Sequence, residues 1–429
     1  MFRRFAAALT VVLLAQFAEA QTSPHLLVAD PDAARIYVYS VPEFKLELDL
    51  SDIVAASHAG VVTLPDGRVV IPDNKHKQLI VLNVGGTGAP QVSKRIPVPI
   101  TGSFLWTAVD PTGRYFLSTS SEEGVQKTLS LIDLQTDAAR TFKVDNRQAD
   151  AELSVAVGGT PATVYLHTAD QVLSYPLANL LTAAPDSLVQ GTLRPTSTLT
   201  VGTGGHGNAF SVATGRWAGS TARGFELAQA RGDTLVNLKT LPWNITTFTG
   251  GQNFRFRLTP DGRYVFGPIN APQEAANWAK TNVDLHWTNL TRGTVQRFPL
   301  TTGLVTRAGV SKTLAVYANL TGAGDFAQFV NVDPGSPLFQ KVTARVALGT
   351  LKAGPQAGVS AAGTERRFPA ISADGRWAFV SAGGEGQIAV IDTQTYQVTQ
   401  QIAVPTALKG GGYLVSVQAG TNLPELEGR

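Results

Sequence analysis

Residues 368–405 read FPAISADGRWAFVSAGGEGQIAVIDTQTYQVTQQIAVP, and this stretch decides the fold. Four short apolar runs occupy 368–372, 377–381, 387–392 and 397–404. Their alternation is that of half-buried strands rather than of a helix. Between the first two runs lies Ala373-Asp374-Gly375-Arg376, a tight turn in which glycine supplies a positive φ. Four antiparallel strands joined by tight connections form one blade of a β-propeller.

The same turn recurs upstream as Pro65-Asp66-Gly67-Arg68, Pro111-Thr112-Gly113-Arg114, Ala213-Thr214-Gly215-Arg216 and Pro260-Asp261-Gly262-Arg263. Weaker copies stand at Gly158-Gly159 and Ser311-Lys312. Positions 65 and 373 are six steps apart, or about 51 residues per step, a period that marks a propeller or a solenoid. Closure favours the propeller. One apolar strand, 413–417, is left after residue 404, while 25–30, 35–41 and 44–50 supply only three strands ahead of the first full unit. The last strand can complete the first blade and hide both open edges. The expectation is an all-β, eight-bladed ring, with seven blades as the alternative because 172–201 and 210–241 are the least regular units. Residues 270–280 read as a short helix, and 180–198, 267–283 and 351–365 as long loops.

Phe379 to Pro405, preceded by a Ser-x-Asp-Gly-Arg turn at 372–376, resembles the blade signature of the YVTN family of bacterial propellers, with a FVSA strand and a VIDT strand. LSLIDL at 129–134 and LIVLNV at 79–84 match the third strand more loosely. The resemblance implies an exported propeller that is surface-associated or ligand-binding. It implies no chemistry, since the family shares a scaffold rather than an active site.

The N-terminus fits export. Arg3 and Arg4 precede an apolar stretch from 5 to 17, and Ala18-Glu19-Ala20 offers small residues for cleavage before Gln21. We therefore expect a signal peptide at 1–20, a single propeller domain at 21–429, and a periplasmic or extracellular location without membrane insertion. Loss of two arginines and one glutamate takes the net charge from +3 to +2. A nearly neutral chain without a basic stripe argues against nucleic acid as a partner. The chain has no cysteine, which excludes thiolate metal sites, cysteine nucleophiles and covalently attached c-type haem.

No nucleophile elbow or phosphate loop is present. The Gly-rich run 202–207 lacks the lysine of a phosphate site and reads as an inter-blade loop. The tryptophans read as blade packing. Counting back seven residues from each turn except Ser311-Lys312 gives His58, Phe104, Ala151, His206, Asn253 and Arg366, each expected at the start of an innermost strand. His58 and His206, completed by Glu152, are candidate ligands for a divalent metal, zinc or copper, at the channel mouth. Arg255, Arg257, Arg366 and Arg367 make the same mouth attractive to an anionic ligand. Exported zinc-chaperone propellers are similar in outline, with an eight-fold repeat and His-Gly strand starts, although this chain lacks their dense histidine clusters. Asp284 and His286 alternate onto one face of a third strand and read as a surface pair. The leading expectation is a non-enzymatic scaffold that binds a protein or small ligand. A metal carrier and a metal-dependent propeller enzyme are the alternatives.

Overall fold

The computed structural model describes residues 24–420 except 57–59, 87, 122–126, 145–152, 204–205, 244–255, 270–277, 279–281, 323, 353 and 355–365, and only the backbone at 206 and 306. The described strands form eight antiparallel sheets of four strands each, so the eight-bladed reading holds over the seven-bladed one. Blade 1 is built from both ends of the chain. β1 (His25–Asp30), β2 (Arg35–Ser40) and β3 (Leu46–Ser51) are joined on the inner side by β32 (Tyr413–Val417). The closing register runs from His25 opposite Val417 to Ala29 opposite Tyr413.

The other blades follow in chain order, each from its innermost to its outermost strand. They run from β4 (Val62–Thr63) to β7 (Gln91–Pro97), β8 (Ser103–Val109) to β11 (Ala138–Val144), β12 (Ser154–Gly158) to β15 (Ser197–Thr200), and β16 (His206–Ser211) to β19 (Thr234–Pro242). Blades 6, 7 and 8 run from β20 (Arg257–Leu258) to β23 (Thr294–Thr302), β24 (Leu304–Val310) to β27 (Val342–Gly349), and β28 (Pro369–Ile371) to β31 (Gln397–Ala403). Innermost strands lie against one another, β8 on β12, β12 on β16, β24 on β28 and β28 on β32. Outermost strands such as β31 are largely exposed.

Eight apolar clusters fill the eight seams between blades. In β1, Leu26 and Val28 pack toward blade 8 with Phe379 and Val390, while Leu27 and Ala29 pack toward blade 2 with Val69 and Ile71. Alternate residues thus enter different seams, and the middle strands are buried on both faces rather than half-buried. Each fully buried Val, Leu, Ile or Phe contributes about 1.5–3 kcal/mol, which suffices to hold the ring without disulfides.

The repeated turn has a structural reason at every letter. The aspartate accepts the backbone N–H of the arginine, at 3.0 Å for Asp66 and Arg68, 3.0 Å for Asp261 and Arg263, and 2.9 Å for Asp374 and Arg376. The glycine has φ of +65° at Gly262 and +76° at Gly375. It also faces the preceding blade's turn: a Cβ on Gly262 would meet Ala213 Cβ at 2.9 Å, and one on Gly375 would meet Ser311 Oγ at 3.1 Å. In blades 3 and 8 the turn arginine pairs with the aspartate that ends the third strand, Arg114 with Asp133 at 2.7 Å and Arg376 with Asp392, whereas Arg68 pairs with Asp66 of its own turn at 2.7 Å. Asp133 and Asp392 in turn accept backbone N–H groups of the outer hairpin, from Gln135 at 2.9 Å and Gln394 at 2.8 Å. The arginine and these N–H groups hold the Asp133 carboxyl down at about 2.

One departure is α1 (Leu177–Thr182), a single helical segment between β14 (Gln171–Pro176) and β15. It falls where a loop is expected from 180 onward. Leu177 and Leu180 are buried in the seam between blades 3 and 4. The segment 270–280, read as helical from sequence, lies outside the described residues except for Trp278, which is buried with Leu304 and Leu351.

Candidate functional site

The innermost strands bring four residues of three consecutive blades to one end of the channel. Arg307 lies on β24, Arg366 and Phe368 just precede β28, and Tyr413 opens β32. The innermost strands start at the same end of the ring, so Arg366, Phe368 and Tyr413 share one mouth. Arg307 sits at a register shift of β24 between Val305 and Ala308. Its guanidinium Nη2 donates to Tyr413 Oη at 3.0 Å. The same guanidinium lies over the Tyr413 ring at 4.4 Å and over the Phe368 ring at 5.7 Å. The two rings are themselves stacked, 5.8 Å apart with 19° between their planes. Burial lowers the Arg366 pKa from its ordinary value, so its charge sits in a poorly solvated place where an anion is attracted more strongly than in water.

The sequence-derived candidates divide. Arg257 lies on β20, half-buried, and donates from Nη1 to the Phe256 carbonyl at 3.1 Å. Arg367 is 4% exposed, and its guanidinium is engaged by Asp325 Oδ2 at 3.0 Å, with the carbonyls of Ser381, Leu348 and Gly349 nearby. That buried ion pair ties blade 8 to blade 7. Arg255, His58 and Glu152 lie outside the described residues. His206 opens β16 opposite Ser220, and the register shifts immediately after it. Among the described residues no three His, Asp or Glu side chains gather as a metal site would require.

The other histidines belong to the blade bodies. His25 Nε2 meets Glu47 at 3.1 Å. His76, in the turn between β5 (Arg68–Asp73) and β6 (Gln78–Asn83), bridges Asp73 at 2.7 Å and Asp52 at 3.3 Å. His167 meets the Trp217 ring edge-on at 5.6 Å. His286 corrects the surface-pair reading. It lies on β22 (Asn282–Asn289), is 0% exposed, and is ringed by Phe225, Trp243 and Phe256 at 5.4–5.9 Å. Alternation along β22 shows which face His286 shares with Asp284, but not that aromatic groups cover that face. Burial and then the Arg297 charge lower its pKa to about 3, so the ring is neutral and its Nε2 pairs with Thr288 Oγ1 at 2.9 Å.

Arg307, Phe368 and Tyr413 were not singled out from sequence. The blade 7 turn, Ser311-Lys312, carries no glycine, so its innermost strand was not aligned with the others. Counting back from Ser311 would have placed Arg307 on that strand.

No protein family matches the chain, and no curated protein sequence does. Solved structures do. AztD from Citrobacter koseri superposes with a TM-score of 0.66 at 13% identity, over 92% of this chain and 98% of that one. The likeness is one of fold. Apo AztD from the same organism gives 0.63 at 12% identity over 92% and 98%. The dihydro-heme d1 dehydrogenase NirN in complex with DHE gives 0.61 at 14% identity, over 92% of this chain and 75% of that one.

Proposed function

We propose that the chain is an exported binding scaffold of the YVTN type, which takes an anionic ligand with a flat apolar part at one mouth of its channel. The observation that carries this reading is Arg307 lying against the stacked Phe368 and Tyr413 rings, contributed by three adjacent blades. A guanidinium on an aromatic platform offers charge and stacking together. Arg366 adds a second positive charge and Arg257 a third on a neighbouring innermost strand. Calorimetric titration of the chain from Gln21 onward with benzoate and with benzyl alcohol tests it. Benzoate is expected to bind, with at least a tenfold loss in Arg307→Gln, and benzyl alcohol to bind far more weakly. Equal affinity for both probes, or no effect of the substitution, overturns the reading. N-terminal sequencing of the protein from its native envelope fraction is expected to begin at Gln21.

A second reading is a zinc or copper carrier using His58, His206 and Glu152. It is favoured by the place of His206 at the head of an innermost strand, and in the sequence His58 stands at the same count back from its own turn. Mass-spectrometric metal analysis is expected to give near-stoichiometric metal, lost in His58→Ala/His206→Ala. Protein that is metal-free and takes up none on dialysis removes this reading, and with it a metal-dependent enzyme.

A further inference from the structure

The seam between blades 6 and 7 encloses a patch of buried polar side chains among its apolar ones. On β25 (Leu314–Leu320), Ala315 and Tyr317 pack toward blade 6 against Phe266, Leu285 and Leu300. Asn319 lies two residues on and shares that face. On β26 (Asp325–Asn331), Gln328 stands directly opposite Tyr317, and its Nε2 donates to the Leu300 carbonyl of blade 6 at 3.1 Å. Tyr317, Asn319 and Gln328 are each 0% exposed. Among the described residues, Tyr317 Oη, both side-chain polar atoms of Asn319 and Gln328 Oε1 have no hydrogen-bond partner.

Blade 8 offers an internal control. Val380 and Ala382 occupy the places of Tyr317 and Asn319 there, counted from the strand start, and Ala389 pairs with Val380 as Gln328 pairs with Tyr317. The same positions there pack dry, with Val380 in the seam to blade 7. Leaving one buried polar atom unpaired is costly, and four in a single patch is more than protein contacts account for.

We propose that this seam is an internal hydration site, in which ordered water bridges Asn319, Tyr317 and Gln328. The ligand must be neutral and able both to donate and to accept. Asn319 Oδ1 and Gln328 Oε1 demand donors, which a bare anion lacks. Asn319 Nδ2 demands an acceptor, which a metal cation lacks. A water buried among two to four polar partners meets both demands. Arg257, on the innermost strand of blade 6, is close enough to act electrostatically on the Tyr317 hydroxyl, which places the site near the channel wall.

A crystal structure at high resolution, with oxygen-17 relaxation dispersion in solution, tests the proposal. Expected are one or more density peaks within 3.5 Å of Asn319 and a dispersion amplitude that falls in Asn319→Leu. Wild-type density that is featureless at Asn319, or an amplitude that Asn319→Leu leaves unchanged, overturns it. Density too large for water, such as a small polyol, overturns it in favour of a ligand. The wild-type measurement stands even if the variant does not fold.

Discussion

His286 and the Asp325–Arg367 pair show how strongly a single buried group can weigh in this ring. The folded pKa of His286, about 3, lies below its ordinary value of 6.5. Between those values the unfolded chain binds more protons than the folded one, so stability falls as pH drops through that window. The loss approaches about 1.4 kcal/mol per pH unit. Urea unfolding at pH 7 and pH 5 should therefore show a larger difference for the wild type than for His286→Asn; equal differences would contradict the buried neutral ring. The Arg367–Asp325 pair is sealed between blades 7 and 8. Asp325→Ala strands the guanidinium and should cost about 3–5 kcal/mol. Asp325→Ala combined with Arg367→Met should recover much of that loss in the same assay, since it is the stranded charge that is costly.

The turn glycines act as spacers between successive blades as well as hinges within one. Gly375→Ala meets both a left-handed backbone and the Ser311 hydroxyl, whereas Gly232, at φ +60°, has open space where its Cβ would stand. Gly375→Ala should therefore lower the thermal midpoint more than Gly232→Ala, the shared backbone part being about 1–2 kcal/mol. These double duties made the fold legible in the sequence. Asp, Gly and Arg are each fixed by a local contact, so they recur at a countable period and reveal the blade number. The site was less legible for the same reason. Blade 7 turns on Ser311-Lys312 without glycine, and the period lost sight of Arg307. The six residues of α1 carry as few apolar positions as a strand would, so their helical form follows from packing on blades 3 and 4.

At the scale of the whole molecule the ring depends on one antiparallel contact, β1 with β32. Removing residues 413–429 should leave the inner edge of β1 unpaired and open two seams, since Leu414 and Val417 belong to those on either side of blade 1. Size-exclusion chromatography is expected to show aggregates in place of the wild-type peak; a product that elutes with the wild type and unfolds cooperatively would show that closure is dispensable. The pairing also sets a timetable. His25 and Val417 are 392 positions apart, and synthesis runs from the first to the second. The earliest strand made is thus the last to gain its inner neighbour, and for most of the chain's emergence its edge is an open rail for other strands. Whatever escorts the nascent protein has to guard that one edge longest, and its task ends when the final strand arrives.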